Sequence, residues 1–139
     1  MISRGQGQSA VASAAYRAGA KLSVLASAAY RSGAKLHSDQ ERHTFDYTHK
    51  EDVLHTEIVT PARCPAWAQD RERLWNEVEA SEKRKDAQLA RDIIAALPRH
   101  LSHEQQVALV REFVQDNFVR DGMIADFAIH DKGDGNPHA

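Results

Sequence analysis

Residues 123–139, MIADFAIHDKGDGNPHA, constrain the fold more than any other stretch. Met123, Ala125, Phe127 and Ile129 alternate with Ile124, Asp126, Ala128 and His130, which predicts a strand with one buried face. DKGDGN follows as a glycine-rich turn, and Pro137-His138-Ala139 begins a returning strand. Pairing as a hairpin brings His130 and His138 together at the mouth of one sheet. Two neutral imidazoles held that way are ready ligands for a divalent metal. Two surface histidines flanking a turn would show the same spacing.

The other distinctive stretch is a tandem repeat. SAVASAAYRAGAKL (9–22) is followed directly by SVLASAAYRSGAKL (23–36), with differences only at Ala10/Val24, Val11/Leu25 and Ala18/Ser32. Both copies are strong helix formers, and Gly19 and Gly33 are expected stops. An insertion of this length rotates the following helix face by only about 40°, so one continuous helix could absorb it. A short period present twice is a local duplication rather than a solenoid.

Residues 37–52, HSDQERHTFDYTHKED, look polar and irregular. His37, His43 and His49 are six apart, which suits one face of neither a helix nor a strand, so they are not taken as a metal cluster. Residues 53–60, VLHTEIVT, form a β-branched alternating strand ended by Pro61. From Pro65 to about Lys83 the spacing is helical. Trp67, Leu74, Trp75 and Val78 make the buried stripe, and Arg71, Glu72, Arg73, Glu79 and Lys83 the polar side. Residues 86–97 fit a helix by propensity and a strand by alternation. Ser102 opens a final helix through a capping box with Gln105, and Val107, Val110, Phe113, Val114 and Phe118 form its buried stripe. Asp121-Gly122 ends it. The resulting order of helices and strands predicts an α+β domain.

Charge is uneven. Residues 1–36 carry Arg4, Arg17, Lys21, Arg31 and Lys35 and no acid, a segment charge of +5 within a chain of net charge −2. Such a segment can steer nucleic-acid phosphate, or it can be a solvated helix face balanced by the acidic remainder. The single Cys64 leaves no disulfide framework and fits a reducing cytoplasm. There is no apolar run long enough to span a membrane and no signal-peptide pattern.

SRGQGQSAVASAAYR, HTEIVTP, WAQDRERLWNEVEASEKRKDAQLAR, ALPRHLSHEQQVALVREFVQDNFV and AIHDKGDGNPHA together resemble the MobA/MobL relaxases, which nick plasmid DNA at an origin of transfer. The resemblance covers nearly the whole chain. It implies a mostly antiparallel sheet covered by helices, with the metal on the sheet floor and the tyrosine helix above it. It also implies a nucleophilic tyrosine in AAYR, which here is Tyr16 or Tyr30. Tyr16 keeps the family's upstream spacing and Tyr30 the downstream spacing; the shorter upstream connection favours Tyr16. Attack by the phenol on a phosphodiester would leave the protein joined to the 5′ phosphate.

His130 and His138 match the first two metal histidines, and Ala139 the apolar residue before the third. Asp92 takes the first acidic position of the implied 86–97 strand, and Ile94 stands where a glutamate is usual. Asp46-Tyr47-Thr48 matches a family segment, with Phe45 in place of a histidine. The resemblance therefore predicts one relaxase domain over residues 1–139, incomplete at both ends, with divalent metal (Mn or Mg) held weakly. Its partners would be single-stranded DNA at the origin and other relaxosome proteins. A catalytically inactive fragment that only binds DNA or a protein is the alternative.

Overall fold

The computed structural model describes residues 23–81 and 90–139. Helix α1 (Val24–Ser32) starts at Ser23, whose side chain accepts from the main-chain N–H groups of Leu25 and Ala26. Ser23 itself is extended, with φ −66° and ψ 135°. A helix running unbroken across both repeat copies is thereby ruled out: the second copy begins its own helix, and its hydroxyl N-cap is the reason. Gly33 closes α1 in the left-handed region at φ 65°, as its position predicted.

Residues 37–52 are more ordered than their polarity suggested. Strands β1 (Lys35–Ser38) and β2 (His43–Asp46) form an antiparallel hairpin in which Leu36 lies opposite Phe45. Leu36 is buried against Leu25, Ala28 and Ala29 of α1, so one apolar side chain anchors an otherwise polar hairpin. The three histidines of this region make no metal group. Among the described residues no set of three His, Cys, Asp or Glu could hold an ion.

Strand β3 (Val53–Val59) pairs antiparallel with β4 (Ala125–His130), with an irregularity between Val53 and His55. The returning segment expected after the turn is present: His130 and His138 exchange two main-chain hydrogen bonds, of 2.8 and 3.0 Å. Beyond it Ala95 and Ala139 exchange bonds of 2.8 and 2.9 Å. The sheet floor thus runs β3, β4, residues 137–139, residues 95–97. The ambiguity over 86–97 resolves into neither a helix nor a full strand. Residues 90–94 have no regular structure and only 95–97 pair; 86–89 lie outside the described residues.

Alternation along β4 sends its side chains to two covers. Phe127 and Ile129 pack against Val107, Val110 and Val114 of α3 (His103–Asn117). Asp126 and His130 face the other way, toward α1 and α2 (Arg71–Ser81). The predicted 65–83 helix is divided. A short 3-10 turn (Ala66–Gln69) precedes α2, because Asp70 is extended at ψ 107°. Glu79 is not on the polar side. It is buried and accepts from the hydroxyls of Ser23 and Ser38 at 3.2 and 3.1 Å. On α3 the capping box is present, with Ser102 and Gln105 bonded reciprocally. Phe113, expected inside, is 47% exposed. Gln106 takes an inward place instead, donating to the oxygen of Pro98 at 3.1 Å.

Candidate functional site

The end of β4 meets the end of α1. His130 is buried, and its Nε2 donates to the main-chain oxygen of Arg31 at 2.7 Å. A carbonyl oxygen can only accept, so Nε2 carries the proton and Nδ1 holds the lone pair. That Nδ1 is buried with no hydrogen-bond partner. Burial pushes the His130 pKa below its ordinary value; the bond to Arg31 opposes this, and the charges of Lys50 and His138 add to the lowering. The imidazole is therefore held neutral, the form in which it can ligate a metal.

His138 stacks on it, with ring centroids 5.1 Å apart and planes inclined by 26°. The pair that the terminal motif predicted is therefore assembled, by the bridge between the strand and the returning segment. As a donor set it fits a divalent cation in part. It offers two imidazoles, one of them with an unpartnered buried nitrogen, but no third donor of its kind among the described residues.

Of the two candidate tyrosines, Tyr16 lies outside the described residues, as do Arg4, Arg17 and Lys21. Tyr30 stands in the last turns of α1. Tyr47 meets its ring edge-on, with centroids 5.2 Å apart. Lys50 covers it, with Nζ 3.7 Å from the ring centroid, and donates to the Tyr30 main-chain oxygen at 2.7 Å.

Arg31, next on the helix, pairs with Asp92. That pairing places Asp92 beside the tyrosine helix, although the segment around it is not a strand. Desolvation pushes the Asp92 pKa up, and Arg31 only partly offsets it. Lys35 is exposed at the start of β1, across from Asp46.

Sequence reasoning missed Lys50 and treated Tyr47 only as part of a matching segment. The available signal was their spacing. Tyr47 and Lys50 are three apart, and the Lys50 N–H bonds to the Tyr47 oxygen at 3.1 Å, so one tight turn presents both side chains to the same helix end.

Arg31, Lys50 and Lys132 lie beside the two imidazoles, with Asp52 and Asp92 among them. Lys50 is pushed below its ordinary pKa chiefly by burial, with Asp52 opposing and Arg31 and Lys132 adding to the lowering. The tyrosine, three cations and paired histidines converge from α1, the Tyr47–Lys50 turn and the terminal hairpin. Below them a second network fixes the floor. Asp126 accepts three bonds from Arg71, at 3.0 and 2.8 Å from Nε and 2.9 Å from Nη2, and one from the Trp75 indole at 2.9 Å, which holds α2 to β4.

No helix among the described residues is long and apolar enough to cross a membrane. The MobA/MobL family model matches residues 22–139. A conjugal transfer protein TraA from Rhizobium radiobacter is 49% identical over 99% of this chain, which covers 12% of that protein. A probable mobilization protein MobA from Bifidobacterium longum is 34% identical over 99% of this chain and 22% of its own length. A mobilization protein MobL from Acidithiobacillus ferridurans is 38% identical over 93% of this chain and 30% of its own.

A solved structure concerned with the molecular basis of vancomycin resistance transfer in Staphylococcus aureus superposes with a TM-score of 0.77 at 34% identity. It is matched over 84% of this chain and 59% of its own. The chain thus spans about an eighth of the length of the first of these relatives. By the extent of the family match and of these identities, the chain belongs to the MobA/MobL family.

Proposed function

We propose that this chain provides the DNA-nicking centre of a conjugative relaxase, acting on single-stranded DNA at an origin of transfer in the cytoplasm. The observation that carries the reading is the bond from His130 Nε2 to the Arg31 oxygen, which fixes the tyrosine-bearing helix end against the histidine-bearing strand end. In this reading Tyr30 is the nucleophile. Its phenol gives up its proton to water as the oxygen bonds to the phosphorus. The P–O3′ bond breaks with its electron pair on the 3′-oxygen, which takes up a proton to become a hydroxyl, and the protein stays joined to the 5′ phosphate. The reacting atoms must come within about 3–3.5 Å, which a helix end fixed to the sheet favours.

His130 and His138 would hold a divalent cation, Mn or Mg, which when bound polarises the phosphate and stabilises the charge that develops on it. Asp92 keeps Arg31 oriented beside the tyrosine, and Arg31 and Lys35 belong to the DNA-facing basic segment. Other proteins assembled at the origin would be its protein partners. The names of the conjugal transfer and mobilization relatives support the same role.

One observation favours a second reading. With two histidines and no third ligand of the set among the described residues, the polypeptide can also serve as a DNA-binding module without turnover. The deciding experiment incubates the chain with Mn²⁺ and a supercoiled plasmid carrying a transfer origin. Nicked circles with a detergent-stable protein–DNA adduct, lost in Tyr30→Phe, are expected. Binding without nicking or adduct would establish the second reading instead.

A further inference from the structure

We propose that Lys50 seats the DNA phosphate presented to Tyr30, an inference that rests on Tyr30 being the attacking residue. The ammonium lies 3.7 Å from the centre of the Tyr30 ring and spends one donor on the Tyr30 main-chain oxygen. A lysine ammonium has three donors, so two remain for oxygens of a ligand. Among the described residues Lys50 forms no ion pair. Arg31 is paired with Asp92 through one terminal nitrogen, and its charge adds to the local field.

A lysine serving only to close a helix would be equally effective with its charge in water. Lys50 is instead half-buried against an aromatic face, with Arg31 and Lys132 raising the local positive potential and Asp52 offsetting it in part. Crowding like charges in a poorly hydrated place is uphill until an anion joins them. A phosphodiester on this ammonium would stand over the face of the Tyr30 ring, near enough to the histidine pair for the Lys50 charge to be felt at His130.

The test is the salt dependence of binding to a dT oligonucleotide of about 20 nucleotides, followed by fluorescence anisotropy on the 139-residue chain. Lys50→Met is expected to lower the slope of log K against log salt by about 0.7, the value for one phosphate contact on a single strand. Affinity at low salt should fall several-fold. Lys50→Arg should keep the slope, and so should Arg120→Met, which removes an exposed charge beyond α3.

Lys50→Gln retains a donor for the Tyr30 oxygen without the charge. It should behave as Lys50→Met does, which covers the case in which the methionine variant fails to fold. An unchanged slope in the methionine and glutamine variants would overturn the proposal. So would an arginine variant as weak as the methionine one, since that result marks a packing role. Tyr30→Phe separates this from the nicking reading. It should leave the slope intact while removing the adduct, and an adduct that survives it would refute the nicking role of Tyr30 without touching the binding result.

Discussion

His130 at the end of β4 donates from Nε2 to the main-chain oxygen of Arg31 on α1, at 2.7 Å. One hydrogen bond therefore joins a candidate metal ligand to the residue after the candidate nucleophile. It also divides the imidazole's labour. Nε2 holds the helix, and the lone pair on buried, unpartnered Nδ1 is what remains for a cation. An ion that bound through Nε2 would have to break the helix contact first.

Metal binding should consequently be weak and should depend on both rings. Calorimetry with Mn²⁺ is expected to show low affinity for the parent chain. His138→Ala should reduce it by at least about tenfold, since loss of outer-shell partners alone reaches that size. Equal affinity in parent and variant would mean that His138 is not a ligand.

Glu79 carries a larger structural burden than its position on α2 suggests. Its two carboxylate oxygens accept from Ser23, the N-cap of α1, and from Ser38 on β1. Glu79→Ala should cost about 2–3 kcal/mol in urea denaturation, the scale of charge-assisted hydrogen bonds lost from a buried site. Glu79→Gln, which can keep an acceptor for one hydroxyl, should cost less.

Gly33 ends the tyrosine helix at φ 65°, and a Cβ there would stand 3.1 Å from Cγ2 of Val53. Gly33→Ala combines left-handed strain, roughly 1–2 kcal/mol, with a contact at the start of β3. Thermal unfolding should show the loss. If Tyr30 is the nucleophile, adduct formation should fall with it, because the same glycine sets the direction of the helix end.

Legibility in the sequence followed periodicity and failed where polar groups decided the outcome. The alternation in 125–130, the β-branched run at 53–59 and the Ser102–Gln105 box each name their own structure, because side-chain spacing and a local cap determine it. Met123 and Ile124, however, precede the strand and are exposed, and both faces of β4 are covered rather than the one expected. The β1–β2 hairpin was hidden because only Leu36 and Phe45 supply apolar pairing, too little for a pattern. Glu79 was placed outside because a carboxylate on a helix is normally solvated, and its two serine partners are 56 and 41 residues away. The histidine pair was legible from the hairpin turn. Lys50 was not, since a cation over an aromatic ring leaves no mark in composition or spacing beyond its short distance from Tyr47.

The Glu57–Arg111 pair gives a defined acid response. Arg111 donates twice to Glu57, at 2.6 and 2.7 Å, and holds its carboxyl below the ordinary value of 4.5, with burial opposing and His55 adding to the lowering. A carboxylate with a depressed folded pKa stabilises the fold fully above its unfolded pKa and loses that contribution as pH falls through the folded one. The melting-temperature difference between the parent and Glu57→Gln should therefore be constant above about pH 5 and shrink at lower pH. Exposure of Arg111 keeps the effect small and salt-sensitive.

The choice between the two tyrosines turns on which repeat copy is attached to the sheet. A short upstream connection argued for Tyr16, which lies outside the described residues. Tyr30 has two structural arguments on its side. Its copy starts a helix at a capped Ser23 rather than continuing one, and that helix is fixed to β4 through Arg31 and His130. The family model, moreover, matches from residue 22 onward, a span that includes Tyr30 and leaves out Tyr16. The expected result is that Tyr30→Phe removes the covalent DNA adduct and Tyr16→Phe leaves most of it. Deleting residues 9–22, one repeat copy, should then preserve both the adduct and the single-strand binding that depends on Lys50. An adduct that disappears with Tyr16→Phe and survives Tyr30→Phe would assign the chemistry to the first copy and leave α1 a supporting helix.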